Sequence, residues 1–196
     1  MSQKIMVLDC EMNQPSRKII QIGAAIYDVR NASCYGTLET YVDPGEPITT
    51  EITELTGITD RDVNGAPNII EAYGMLKTFH RKFPSTFMNP LVWGSGVRND
   101  SIAIYEEYLK RMPRYGNVQC DEKNFMGYRV LDAKTLFQSL MLFEGGSYSG
   151  GLSDCMKEIG LKFEGDKHRA LTDARNTFTI WYHMTRLMHD GLKHKK

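Results

Sequence analysis

The stretch Val-Leu-Asp-Cys-Glu-Met, residues 7–12, constrains this chain more than any other. Ile5, Met6, Val7 and Leu8 lead straight into it, an apolar run that predicts a buried strand over residues 4–10. Asp9 and Glu11 are two residues apart, so on a strand they share one face with Ile5 and Val7. The apolar pair belongs in a core, and the acids emerge beside it at the C-terminal end of the strand. Like charges placed together cost free energy unless something positive holds them. A buried Arg or Lys is one such partner; a divalent cation is the other.

The remaining pattern predicts what surrounds that strand. Residues 19–29 and 34–42 read as two more strands, joined by connections short enough for an antiparallel meander. Further strands are expected at 90–94 and within Tyr-Arg-Val-Leu-Asp-Ala, residues 128–133. Helical spacing predicts helices over 50–57 (ended by Gly57), 68–82, 100–111, 133–143, 152–160 and 170–188. The last should bury a stripe of Leu171, Ala174, Phe178, Trp181 and Met188. A meander followed by alternating helices and strands implies an α/β fold. Its central mixed β-sheet has an antiparallel meander of three strands plus two parallel strands, flanked by helices. The chain's 196 residues suit one domain, 1–190, with a basic C-terminal tail over 191–196.

Lys plus Arg equals Asp plus Glu, 24 each, so net charge gives no global footprint for nucleic acid. Bound metal ions supply positive charge locally, so such a substrate stays open. Cys10, Cys34, Cys120 and Cys155 are widely spaced without zinc-like clustering, which predicts reduced thiols. No stretch is long and apolar enough to cross a membrane, and the first residues lack signal-peptide features. The expectation is a soluble, cytoplasmic protein with no membrane partner.

Other acids stand in comparable patterns. Asp60-Arg61-Asp62 and Glu164-Gly165-Asp166 repeat the acid-x-acid spacing but fall in expected polar loops, where solvated charge is expected. Asp100 follows the strand at 90–94 and a polar turn, and taken alone it reads as a helix N-cap or first-turn acid. His168 and Asp173 are five apart and would diverge by about 140° on one helix. They converge only if His168 precedes the helix. Carboxylates converging without thiolates suit Mg²⁺, with Mn²⁺ as a substitute, and three or four of them can hold a metal pair.

Taken together, Asp9-Cys10-Glu11, Asp100 and His168-Arg169-Ala170-Leu171-Thr172-Asp173 resemble the motifs of the DEDDh superfamily of 3′–5′ exonucleases, which has an RNase H-like fold. Ile19–Asp28 is similar to that family's second strand, and Ile52–Thr59 (ITELTGIT) to its helix-turn. The second motif departs from the common form with Asn, Phe and Asp; here it reads WGSGVRND, and Asp100 is the only acid between Glu71 and Glu106. The WG before that turn and the DARN after the last acid resemble exoribonucleases that trim small RNAs and histone-mRNA ends.

The resemblance implies an activity. Asp9, Glu11 and Asp173 would hold two Mg²⁺ ions, with Asp9 bridging and Asp100 acting partly through water. His168 would take the proton of the attacking water, work that suits an imidazole titrating near neutrality. The partner would be single-stranded RNA or DNA with a free 3′ end, with a lean to RNA, and the product a nucleoside 5′-monophosphate. Met12 would wedge against the terminal base, with plain core packing as the equal alternative, and Ile52, Leu55 and Gly57 would border the 3′ end. Tyr148 reads as an exposed loop tyrosine, with base stacking as the alternative. The alternatives are an enzyme trimming very short oligonucleotides and an inactive homologue serving as a nucleic-acid-binding module. A homodimer is one oligomeric option.

Overall fold

The structure is a computed structural model that describes residues 3–84, 86–94, 99–112, 123–146 and 150–193. Strands β1 (Lys4–Met12), β2 (Ile19–Asp28) and β3 (Cys34–Tyr41) come first. Three helices follow: α1 (Thr50–Thr56), α2 (Asp60–Val63) and α3 (Ile69–Arg81). Then come β4 (Leu91–Val92), α4 (Asp100–Arg111), β5 (Leu131–Asp132), α5 (Ala133–Phe143), α6 (Leu152–Glu158) and α7 (Ala170–Lys193). The strands form one sheet in the order β3-β2-β1-β4-β5, with β1, β2 and β3 antiparallel and β4 and β5 parallel to β1. This is the mixed sheet the sequence predicts.

The two parallel strands are shorter than expected, and local chemistry shows why. Gly94 takes φ +94°, a left-handed value that ends β4 in a turn. Asp132, the last residue of β5, already caps α5 by accepting from the Lys134 N–H. Helix starts elsewhere are equally explicit. Asn68 and Glu71 form a reciprocal box at α3, and Gly57 closes α1 in the left-handed conformation.

Helices cover both faces of the sheet. Met6, Leu8, Ile22, Ala24 and Ile26 face one core with Leu76 of α3 and Ile104 of α4. Ile5, Val7 and Ala25 face the other, with Phe137 of α5, Met156 of α6 and Phe178 of α7. β2 is therefore buried on both sides despite its alternating sequence. Ile20, Ile48, Ile52, Ile58 and Val63 make a satellite core under α1 and α2.

α7 runs past the expected end at 188 to Lys193, so residues 191–193 are helix rather than tail. Its inward stripe ends at Met184, and Met188 is exposed, contrary to the expected packing. Among the described residues no helix is long and apolar enough to cross a membrane. Tyr148, Cys120, residues 95–98 of the turn before Asp100 and residues 194–196 of the expected tail lie outside the described residues.

Candidate active site at the end of β1

Asp9 and Glu11 project from β1 on the α7 side of the sheet, beyond Ile5 and Val7. Their β2 neighbours in register are Gly23 and Gln21. Gly23 is what lets α7 approach: a Cβ there would lie 2.1 Å from the Leu171 nitrogen and 2.2 Å from the Ala170 carbonyl carbon. Gln21 fixes the same turn, its side-chain oxygen accepting from the Ala170 N–H at 3.0 Å and satisfying one of the free donors of the helix start. The first turn of α7 thus rests on β2 beside the two acids, which is how Asp173 reaches them.

His168 lies before the helix, as the spacing required. It takes φ +59°, uncommon for a non-glycine residue, and its backbone N–H donates to Asp173 Oδ2 at 3.1 Å. Its side chain is exposed, whereas Asp173 is half-buried. Glu11, His168 and Asp173 each offer a ligand atom within 4.8 Å of the others.

Asp100 arrives from the opposite layer. The N-cap of α4 is Asn99, whose side chain accepts from the Ile102 N–H, so Asp100 is the first helical residue and is not consumed as a cap. Its Oδ1 accepts from the Cys10 thiol at 3.1 Å. The N-termini of α4 and α7 therefore flank the end of β1, and their positive dipole ends favour negative charge there.

Electrostatics mark the cluster as one unit. Burial, then the charges of Asp100, Glu11 and Asp173, hold the Asp9 carboxyl well above the usual range. Burial and the Asp173 and Asp100 charges push Glu11 up to about 7, against a small opposing pull from Arg169. Burial also raises Asp100, opposed by the hydrogen bond from Cys10, and raises Asp173, opposed by its bond from His168. Cys10, buried among these acids, stays a thiol because burial and the Asp100 charge disfavour its thiolate. Neighbouring carboxylate charge thus raises Asp9 and Glu11, while burial raises Asp100 and Asp173. Asp173 Oδ1 is buried with no hydrogen-bond partner among the described residues. Hard oxygen donors, an orphaned carboxylate oxygen and unrelieved repulsion together fit a divalent cation.

The expected substrate contacts are placed unevenly. Met12 is half-buried at the end of β1, with Arg17 Nη2 3.9 Å from its sulfur. Ile52 is committed to the satellite core, while Leu55, half exposed at 51%, is open to solvent. Gly57 lies beside the Arg169 guanidinium, 3.7 Å from where its Cβ would be.

Four residues near the acids were not singled out by the sequence reading. Cys10, Gln21, Gly23 and Arg169 act through contacts between distant parts of the chain. Only Gly23 carried a signal, since a glycine inside an otherwise apolar strand marks a close backbone approach.

Residues 6–181 match the RNase_T family model, described as "Exonuclease", and the chain belongs to that exonuclease family. A curated relative, RNA exonuclease 4 of Mycosarcoma maydis, is 24% identical over 179 residues, covering 90% of this chain and 41% of its own length. The chain thus spans about two fifths of that relative. Among solved structures, cell-death related nuclease 4 superposes with a TM-score of 0.76 at 19% identity, over 95% of this chain and 64% of that one. The nuclease domain of 3′hExo, a DEDDh family member bound to rAMP, gives 0.70 at 16% identity, over 94% and 92%. The fold is the RNase H-like fold of DEDDh 3′-exonucleases.

Proposed function

We propose that this protein is a metal-dependent 3′–5′ exonuclease acting on single-stranded nucleic acid, with RNA preferred. The observation that carries the reading is the half-buried set Asp9, Glu11, Asp100 and Asp173 at the end of β1, its acids raised by burial and, at Asp9 and Glu11, by neighbouring carboxylates, with His168 alongside. The lean to RNA draws support from the RNA exonuclease relative and from the rAMP held by the solved nuclease domain.

Asp9, Glu11 and Asp173 would hold the cations, with Asp100 contributing through water. Divalent cations bound there supply the positive charge that favours ionisation of an attacking water and stabilises the leaving 3′ oxygen. The chain's own part is positioning and proton transfer. β1 fixes two acids on a rigid strand, and Gly23 and Gln21 fix the third through α7. The exposed imidazole of His168, anchored by its backbone to Asp173, removes the proton from the water. Water adds to the last phosphodiester phosphorus, the bond to the 3′ oxygen breaks, and a nucleoside 5′-monophosphate leaves. Met12 and Leu55 offer apolar surface to the terminal base.

Purified protein incubated with 5′-labelled single-stranded RNA and DNA in Mg²⁺ or Mn²⁺ tests this. Stepwise shortening from the 3′ end, abolished in Asp9→Ala, is expected. His168→Ala should keep metal binding, read by calorimetry, and lose about 10²-fold or more in turnover. No shortening of any strand with either metal would refute the proposal.

A further inference from the structure

α7 carries a second pattern that the acid site does not use. Thr172, Arg175, Thr179, Tyr182 and Arg186 recur every three or four residues, and Lys193 follows two turns later. At about 100° per residue they share an arc of about 80°. All are exposed or half-buried. Two contacts show which way the stripe faces. Arg169, just before the helix, donates from Nη1 to the Tyr41 hydroxyl at 3.1 Å, at the C-terminal end of β3. Tyr182 donates from its hydroxyl to the Arg30 carbonyl at 3.0 Å, in the turn that leads into β3. The stripe therefore follows the edge strand from one end to the other. On that side of β3, Thr37 and Glu39 pair in register with Ala25 and Gly23, and both are exposed. A concave surface opens at each end, one beside Tyr41 and Arg169, the other beside Arg30, Trp181 and Lys193.

The charge on this surface is unbalanced. Arg169, Arg175, Arg186, Lys193 and Arg30 gather there with Glu39 and Asp190 among them, and Glu11 and Asp62 lie within electrostatic reach of Arg169. Asp190 lies 3.5 Å from Arg186 and 3.6 Å from His189, and Glu39 accepts from the Gln21 amide. Among the described residues no carboxylate pairs with Arg30, Arg175 or Lys193. A charged helix face is ordinarily just solvated. This one concentrates positive charge in a chain whose totals are equal, begins at the acid site and borders an uncovered strand face. Basic residues along one helix face are the electrostatic footprint of a nucleic-acid backbone.

We propose that this stripe is the track on which the 5′-ward part of a single strand lies while its 3′ end occupies the acid site, a proposal that rests on the exonuclease reading. α7 has 24 residues, so the track extends about 36 Å at about 1.5 Å per residue. Arg and Lys bind phosphates without reading sequence, and the rings of Tyr41 and Trp181 offer stacking faces near its ends.

The test separates binding from cleavage. Anisotropy of a labelled single-stranded RNA of about 20 nucleotides, in EDTA across a salt series, is compared for three proteins. These are the wild type, the triple variant Arg175→Gln, Arg186→Gln, Lys193→Gln, and a control with Arg81→Gln, Lys82→Gln, Lys157→Gln, whose exposed cations lie elsewhere. The triple variant should weaken binding about tenfold, and its log K against log salt slope should shrink by about 2, about 0.7 per lost phosphate contact. The control should shift neither. With Mg²⁺, the triple variant should lose kcat/KM on the long strand and retain it on a trinucleotide. Equal affinities and slopes for wild type and triple variant, or an equal loss in the control, would overturn the track. Intact binding differences without any cleavage would instead overturn the exonuclease reading and leave the track standing.

Discussion

Gly23 is the position where fold and chemistry are most directly coupled, and Gly23→Ala tests the coupling. The new Cβ would sit 2.1 Å from the Leu171 nitrogen, 2.2 Å from the Ala170 carbonyl carbon and 2.5 Å from the Leu171 Cα. All three are backbone atoms, so no rotamer change relieves the overlap. Ordinary contact needs about 3.5 Å or more, so the first turn of α7 must retreat from β2 by more than about 1 Å. Overpacking of this kind costs about 1–3 kcal/mol, with the upper end expected against backbone. For a chain of this size about 3 kcal/mol lowers Tm by roughly 6–12 °C. The retreat also carries Asp173 away from Glu11, and a displacement near 1 Å costs about 10²-fold in rate. Thermal unfolding and the 3′-shortening assay read the two effects. Gly74→Ala is the control: it lies on the exposed side of α3 with nothing within 4 Å, and should be neutral or stabilising by about 0.4–1 kcal/mol. Wild-type Tm and rate in Gly23→Ala would refute the claim that this glycine seats the helix.

The acid cluster predicts an unusual pH response. Glu11 titrates near 7 in the folded, metal-free protein against an ordinary 4.5, so the folded state holds the proton longer than the unfolded state. Stability should therefore fall as pH rises from about 5 to about 8 in EDTA, by about 2 kcal/mol, and excess Mg²⁺ should reverse the trend in thermal unfolding scans. Asp173→Asn should raise Tm in EDTA by relieving repulsion on Asp9 and Glu11, yet shrink the Mg²⁺-induced rise, both read by calorimetry. Cys10→Val removes the donor to Asp100 at similar volume and should slow turnover about tenfold, while Cys10→Ser, which retains a donor, should recover most of the rate; equal rates in both would show that the thiol bond is idle.

The sequence showed the architecture where the signals are local. The apolar run before Asp9, the glycine after α1 and the helical spacing of α3 and α4 each depend on near neighbours in the chain. The parallel strands were legible as apolar runs, but their short lengths depend on Gly94 and Asp132 turning the chain early. At the site, the carboxylates and His168 stood out as residue types at particular spacings. What held them did not stand out, because the Gln21 bond to Ala170 and the Cys10 bond to Asp100 join residues 149 and 90 positions apart. The basic stripe on α7 is illegible in sequence for another reason. Its charges are ordinary on an exposed helix, and their meaning comes from β3 lying alongside, which composition cannot express.

The seam between Gly23 and α7 also sets a schedule. Asp9 and Glu11 precede Asp173 by more than 160 positions, so they are synthesised well before it. Domains form from the N-terminus as the chain emerges, at about 5–20 residues per second. For all the time before residue 173 emerges, β1 and β2 carry half a site and an open apolar face where Val7 and Ala25 await Phe178 and Ile180. A chain halted in that interval has the first two acids but not the closing helix, and it exposes the apolar surface that chaperones and proteases recognise. The third acid thus arrives together with the burial that protects the folded domain.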